Sequence, residues 1–222
     1  MITSTETTRF TGPGRPRDPN VNQAILAATL RQLSKDGYGR MSMDSVAAEA
    51  GVTKPTVYRR WASKADLATA ALAELQVEEA QPSSGNAQTD LRAILTTLQR
   101  SLCRPNGIAI IGTVMVEEHH TPELITLFRQ RVVRPRRAML HHVLEEAEMR
   151  GDLRNHADID TAVSMLIGSF YAHYLTGEKI PRGWPRRIVQ TVWEGIAKNP
   201  QASKVIFFNF FMKICIKANN FS

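Results

Sequence analysis

The chain has 222 residues, a formal net charge of +7 and only two cysteines, a length that suits a small N-terminal unit followed by a larger one. The basic balance favours an anionic partner, although charge alone does not separate nucleic acid from a membrane surface, while the widely separated Cys103 and Cys215 imply no disulfide framework and fit a reducing cytosol. No apolar run approaches the roughly 20 residues of a membrane span and the N-terminus has no signal-peptide core, so a soluble cytoplasmic protein with no membrane partner is expected.

Residues 1–17 are rich in Thr, Gly, Pro and Arg and read as a flexible basic arm, because such a composition buries too little apolar surface to offset the entropy of ordering. Asp18 then supplies an N-cap and Pro19 a first helical position, and Ile25, Leu26, Thr29, Leu30 and Leu33 recur on one face until Gly37 stops helix one. Ser42 caps a short helix two through Ala50, with Gly51 where the chain wants a positive φ. Thr53 caps helix three, expected to run through Trp61 with Pro55 near its start. Ser63, with Asp66 three residues on as a short-armed capping box, opens helix four, which fades into Gln81-Pro82-Ser83-Ser84-Gly85-Asn86. The first unit therefore spans 18–78.

Residues 88–197 carry helical patterns over Asp90–Cys103, Ile108–Glu118, Pro122–Arg150, Asp158–Leu175 and Trp184–Ala197, separated by Gly and Pro punctuation. Pro135 should kink or divide the longest of them. With no period-two strand pattern and no internal repeat, the chain is predicted all-α, with the second unit a helical bundle. Residues 198–222 change composition abruptly, with Val205-Ile206-Phe207-Phe208-Asn209-Phe210-Phe211-Met212 among Lys and Asn; they read either as an extra packing helix or as a non-native extension.

Up to Lys64, ten basic residues face five acidic ones, so the N-terminal third holds most of the excess positive charge. Residues 42–61 within it meet the demands of a helix-turn-helix. Ala47 is small where two helices cross, Gly51 makes the turn, and Val46, Val52, Val57 and Trp61 pin the second helix to the core. Its opposite face then presents Lys54, Thr56, Tyr58, Arg59 and Arg60 to double-stranded DNA. Arginine binds guanine in bidentate fashion and threonine touches the thymine methyl. Ser42, Thr53 and Lys64 sit at helix N-termini suited to phosphate. The plainer alternative, caps and solvated charges, stands beside this one, for Arg60 and Lys64 on equal terms.

The run Ser42-Met43-Asp44-Ser45-Val46-Ala47-Ala48-Glu49-Ala50-Gly51-Val52, followed by Thr53-Lys54-Pro55-Thr56-Val57-Tyr58-Arg59-Arg60-Trp61 and Ser63-Lys64-Ala65-Asp66-Leu67, resembles the TetR family of regulators from residue 18 to about 78. Trp61 stands where phenylalanine is more common. The resemblance implies a homodimer, a three-helix DNA-binding head joined by helix four to a C-terminal helical ligand-binding and dimerisation body, and repression of a palindromic operator relieved by a small molecule. It also places the DNA contacts on Ser42, Thr53, Lys54, Thr56, Tyr58, Arg59 and Lys64. Arg15 and Arg17, in Gly14-Arg15-Pro16-Arg17, either enter an adjacent minor groove or belong to a basic tail without fixed contacts.

In the body, Val163, Leu166, Phe170 and Tyr174 on one helix and Ile188, Val192 and Ile196 on another are candidates for a dimer interface, and an intramolecular core explains the same stripes. Ile111, Met115, Phe128, Met139, Val143, Met165 and His173 are candidates for the pocket of an unidentified apolar or amphipathic effector, with core packing the alternative for each. The pairs His119-His120 and His141-His142 do not suggest a metal, since adjacent helical residues point about 100° apart. No catalytic spacing or phosphate loop is visible, so neither enzyme activity nor a cofactor is expected. A constitutive DNA-binding protein without a ligand, and a helical enzyme carrying a DNA-binding head, remain as other readings.

Overall fold

A computed structural model describes residues 19–74 and 84–198. The predicted basic arm, the end of helix four and nearly all of the atypical tail lie outside the described residues. The elements in chain order are α1 Pro19–Arg40, α2 Met43–Glu49, α3 Lys54–Tyr58, α4 Lys64–Glu74, α5 Ala87–Leu102, α6 Gly107–Val116, α7 Pro122–Phe128, a π-helical turn Arg129–Val133, α8 Arg134–Met149, α9 Ile159–Leu175 and α10 Trp184–Ile196. Among the described residues the only extended pairing is a single antiparallel bridge, Leu153 to Ala197.

Local chemistry explains most boundaries. Gly37 breaks α1 with φ +74, a conformation that costs other residues a Cβ clash. Ser42 and Ser45 satisfy each other's backbone N–H groups at the start of α2. At its end, Gly51 has φ +68, and the N–H groups of Gly51 and Val52 bond back to the carbonyls of Ala48 and Ala47 in the Schellman pattern. The α3 segment is shorter than expected and ends before Trp61, because Arg60 N–H already bonds to Val57 C=O at 2.9 Å, tightening the chain into a turn. Thr53 makes no side-chain cap; its hydroxyl meets that of Thr56 at 2.9 Å instead. In front of α4, Ser63 Oγ accepts from Asp66 N–H (3.0 Å) while the Asp66 carboxylate accepts from Ala62 N–H (2.8 Å), a capping pair displaced by one residue from the expected form.

Pro135 divides the long segment after Thr121 as expected, and the way it does so matters. Lacking an N–H, and with its ring directed at the Arg131 carbonyl, it interrupts the i→i−4 ladder, and the five residues just before α8 widen into the π turn. Asn86 caps α5 three residues earlier than the pattern suggests, accepting from Thr89 N–H at 3.0 Å. Asp158 caps α9 through Thr161, which holds its carboxyl below the usual range.

Apolar packing does not follow the sequence boundary near Pro82. One core joins α1–α4 to α6 and α7, with Ile25, Leu33, Val46, Val57 and Leu67 against Ile110, Val114, Leu124 and Phe128. A second joins α5, α8, α9 and α10 through Leu91, Leu95, Leu140, Leu144, Leu166, Phe170 and Val189. Phe170 meets Trp184 edge-on with ring centroids 5.3 Å apart, and Trp184 Nε1 donates to Ser169 Oγ at 3.2 Å. Among the described residues no helix is long and apolar enough to cross a membrane.

Candidate nucleic-acid interface

Val57 is fully buried, so the other sides of α3 face outward with Thr53, Lys54, Tyr58 (54% exposed) and Arg59. Thr56 is half-buried beside Thr53. Arg59 forms no ion pair among the described residues, which leaves its guanidinium open to phosphate or a guanine edge. Arg60 faces the other way. Its Nε donates to Asn22 Oδ1 at 2.7 Å and one terminal nitrogen to Thr56 C=O at 3.0 Å, so it ties the recognition helix to α1.

An acid that sequence reasoning passed over sits within this surface. Asp44, in the first turn of α2, binds Lys54 Nζ at 2.6 Å and accepts from Tyr58 OH at 3.3 Å. The lysine holds the Asp44 carboxyl below its ordinary range, and Asp44 raises the lysine in return. Two of the groups expected on DNA are therefore clipped to a carboxylate in the free protein. Asp44→Asn should release both, strengthening binding to DNA of any sequence severalfold and steepening the log–log salt dependence by about 0.9, the increment for one further phosphate contact. Fluorescence anisotropy over a salt series reads both quantities; unchanged or weaker binding would show that the clip positions Lys54 and does not compete for it.

Lys64 is half-buried and already engaged. Its ammonium lies 4.3 Å from the centre of the Tyr38 ring and donates to Gly39 C=O at 3.1 Å, and burial pulls its pKa down. Ser42 is exposed, with its hydroxyl in the cap of α2. Arg15 and Arg17 lie outside the described residues.

Tyr38 is pushed up to about 12 by burial, then by Glu123 and Glu117. An unfolded tyrosine titrates near 10, so the stability this phenol contributes is complete below about pH 10 and is lost as the pH rises through about 12. Melting temperature followed from pH 9 to 12 should fall less steeply in Tyr38→Phe than in the parent; parallel curves would remove Tyr38 as a cause.

The body candidates are scattered. Ile111 and Phe128 share a small cavity of about 40 Å³, also lined by Leu72, Leu102, Ile110, Val132 and Arg136. Met115 and Met165 are exposed, Val143 is buried in the second core with Met139 packed on it, and His173 is half-buried near Glu178. Of the interface candidates, Val163, Leu166 and Phe170 are wholly inside the second core, and Val192 and Ile196 nearly so, because α8 and α5 cover that side. Tyr174 is 48% exposed and Ile188 half-buried. His141 faces Asp160 at 3.1 Å and His142 faces Glu146 at 3.3 Å.

Sequence reasoning also missed the wiring between α4 and the body. Arg131, on the π turn, donates to the Asp66 carboxylate (2.6 Å), to Asp66 C=O and to the Thr69 hydroxyl (both 3.1 Å), and Ser63 donates to Glu123 at 2.8 Å. No local pattern announces contacts that span some 60 residues of chain.

A helix-turn-helix with a basic outward face, carried on a helical body that shares its core, is the arrangement of a DNA-binding transcriptional regulator. The family "Bacterial regulatory proteins, tetR family" matches residues 25–71, and "Tetracyclin repressor-like, C-terminal domain" matches residues 81–192. An HTH-type transcriptional regulator of Mycobacterium tuberculosis is 36% identical over 161 residues, covering 69% of this chain and 78% of the relative. The DNA-binding transcriptional repressor TetR of Mycobacteroides abscessus is 46% identical over 79 residues, 35% of this chain and 42% of its own. The crystal structure of the TetR family transcription regulator SCO0332 superposes with a TM-score of 0.61 at 26% identity, over 81% of this chain and all of that one. The chain belongs to the TetR family of bacterial transcriptional regulators.

Proposed function

We propose that the protein is a dimeric repressor which holds a palindromic operator and releases it when a small molecule enters the body. The observation that carries this reading is the placement of α4. Its apolar side is built into the head core, while Asp66, Thr69 and Ser63 are bonded to Arg131 and Glu123 of the body. A rearrangement of α7 and the π turn therefore pulls on α4, which follows α3 directly in the chain and packs on α1 of the head. Two recognition helices must lie about 34–36 Å apart to enter successive major grooves, and tilting α4 in each protomer changes that spacing. A relative of the head is named a repressor, which supports the sign of regulation.

The proposed DNA contacts are Thr53, Lys54, Thr56, Tyr58 and Arg59, with Ser42 and the α2 N-terminus toward the phosphates. Arg15 and Arg17 are proposed for the adjacent minor groove. For the second protomer, the outward side of α9 and α10 forms an apolar groove of about 450 Å³ lined by Ala162, Met165, Ser169, Ile188, Thr191 and Gly195. Its small residues permit close approach of another helix pair.

The test is selection of DNA fragments by the purified protein, then titration of the selected site with candidate effectors. Recovery of a palindrome whose binding an effector weakens 5- to 150-fold, roughly the usual range of coupling, supports the reading; an operator that no effector touches overturns it. Arg131→Met should bind the operator like the parent yet lose most of the effector response. A parental response in that variant would place the coupling elsewhere.

A further inference from the structure

The end of α5, the first turn of α6, the end of α9 and the turn leading to α10 enclose a cleft of about 860 Å³, within the range that holds a drug-sized ligand. Its walls divide by chemistry. Leu102 and Phe170, both buried, line it with Ile108, Ile180 and the ring of Tyr174, an apolar bed of aliphatic and aromatic surface. Around these stand Arg100, Arg104, Lys179 and Arg182, against a single carboxylate, Glu178.

In the body, Arg129 pairs with Glu118, Arg137 with Asp160 and Arg150 with Asp152, whereas Arg134, Arg154, Arg186 and Arg187 form no ion pair among the described residues and stand on the surface of α8, α10 and the loop before α9. Arg100, Lys179 and Arg182 also form no ion pair among the described residues, but they line one cleft, and Glu178 turns toward His173, 3.9 Å away. The His173 Nε2 it faces is buried with no hydrogen-bond partner among the described groups. Cations gathered without counter-charges repel one another, and an anion among them relieves that repulsion while accepting their hydrogen bonds.

We infer that this cleft binds an amphipathic organic anion, its apolar body on Leu102, Ile108, Phe170 and Ile180 and its acidic head between Arg100, Lys179 and Arg182. As an effector site the inference rests on the ligand-released reading above; as a binding site it stands alone. The cleft also has a route to the head. Leu102 and Gly107 line both the cleft and the small cavity, whose far wall is Phe128 and Val132, and Val132 sits on the π turn beside Arg131. Gly107 is packed so closely on the end of α5 that a Cβ there would lie 2.6 Å from Ser101 C=O. A ligand that moves Leu102 thus acts against a rigid corner and toward the turn that grips α4.

Two dyes test the site on the full-length protein: 8-anilinonaphthalene-1-sulfonate and N-phenyl-1-naphthylamine, the same ring system without the sulfonate. The sulfonate should bind about tenfold or more tighter than the neutral dye, the gain expected from charge-assisted hydrogen bonds. Arg100→Gln with Arg182→Gln should abolish that preference and leave the neutral dye's affinity unchanged. Decanoate should displace the sulfonate dye where decanol does not. Equal affinity for the two dyes, or an unchanged preference in the double variant, overturns the site. Operator binding separates the two claims. If the dyes behave as stated but decanoate leaves the operator complex intact, the site stands and the effector role falls. If decanoate releases the operator equally from parent and double variant, the effector role stands and this cleft is not its site.

Discussion

Truncating Phe170 to alanine should cost about 3–5 kcal/mol of folding stability, the usual penalty for removing a buried aromatic ring. The ring is 1% exposed and packs edge-on against Trp184, which α10 brings to the same spot. Its loss opens a cavity where α9, α10 and the second core meet, and the surrounding helices relax only in part. For a chain of this size the melting temperature should fall by roughly 10 °C, and urea denaturation gives the free energy directly. The result also decides a question of role. Phe170 was a candidate for the dimer interface, and a residue inside the monomer core destabilises the monomer without making association selectively concentration-sensitive. Met165→Glu should do the reverse. Met165 is 56% exposed in the outer groove of α9 and α10, so a charge there leaves the fold unharmed and shifts sedimentation from dimer to monomer. Parental stability in Phe170→Ala accompanied by loss of the dimer would move the interface back to the buried stripe.

Arg59→Ala should weaken operator binding by about 1–3 kcal/mol, roughly 5- to 150-fold, if the guanidinium reads a base edge. The side chain is exposed and makes no ion pair among the described residues, so folding should not change. Two signatures separate its possible partners. A lost base contact relaxes sequence preference at one operator position and leaves the salt slope as it was. A lost phosphate contact weakens binding to all sequences and lowers the slope by about 0.9. Tyr58→Ala should also weaken binding, but by less than its lost contact alone, because removing Tyr58 OH loosens Asp44 and through it frees Lys54. Binding equal to the parent in Arg59→Ala would take that residue off the DNA surface.

The head was legible because its signals are local. Caps at Ser42 and Ser63, the positive φ at Gly51 and the inward Val46 and Val57 are all written within a few residues of the structure they create. Helix positions in the body were legible for the same reason, even to the division at Pro135. The identity of partners across the body was not. Periodicity tells that Val163, Leu166 and Phe170 share a face, but whether α8 or a second protomer covers it depends on tertiary packing. The basic cleft escaped notice because Arg100 is distant in sequence from Lys179 and Arg182, and all three look there like ordinary solvated charges. Asp44 escaped because a carboxylate in the first turn of a helix has an ordinary explanation in the helix dipole, and its bond to Lys54 requires the turn at Gly51 to be folded first.

The core shared by α1–α4, α6 and α7 bears on how such regulators diversify. A fragment ending at Glu74 would present to water the sides of α1 and α4 on which Ile110, Val114, Leu124 and Phe128 pack. The DNA-reading end is therefore not a detachable cartridge. Fusing it to an unrelated sensor would mean rebuilding an apolar joint along with a linker. New DNA targets are reached more readily by changing the outward residues of α3, which carry little of the fold, while the joint with the body stays fixed.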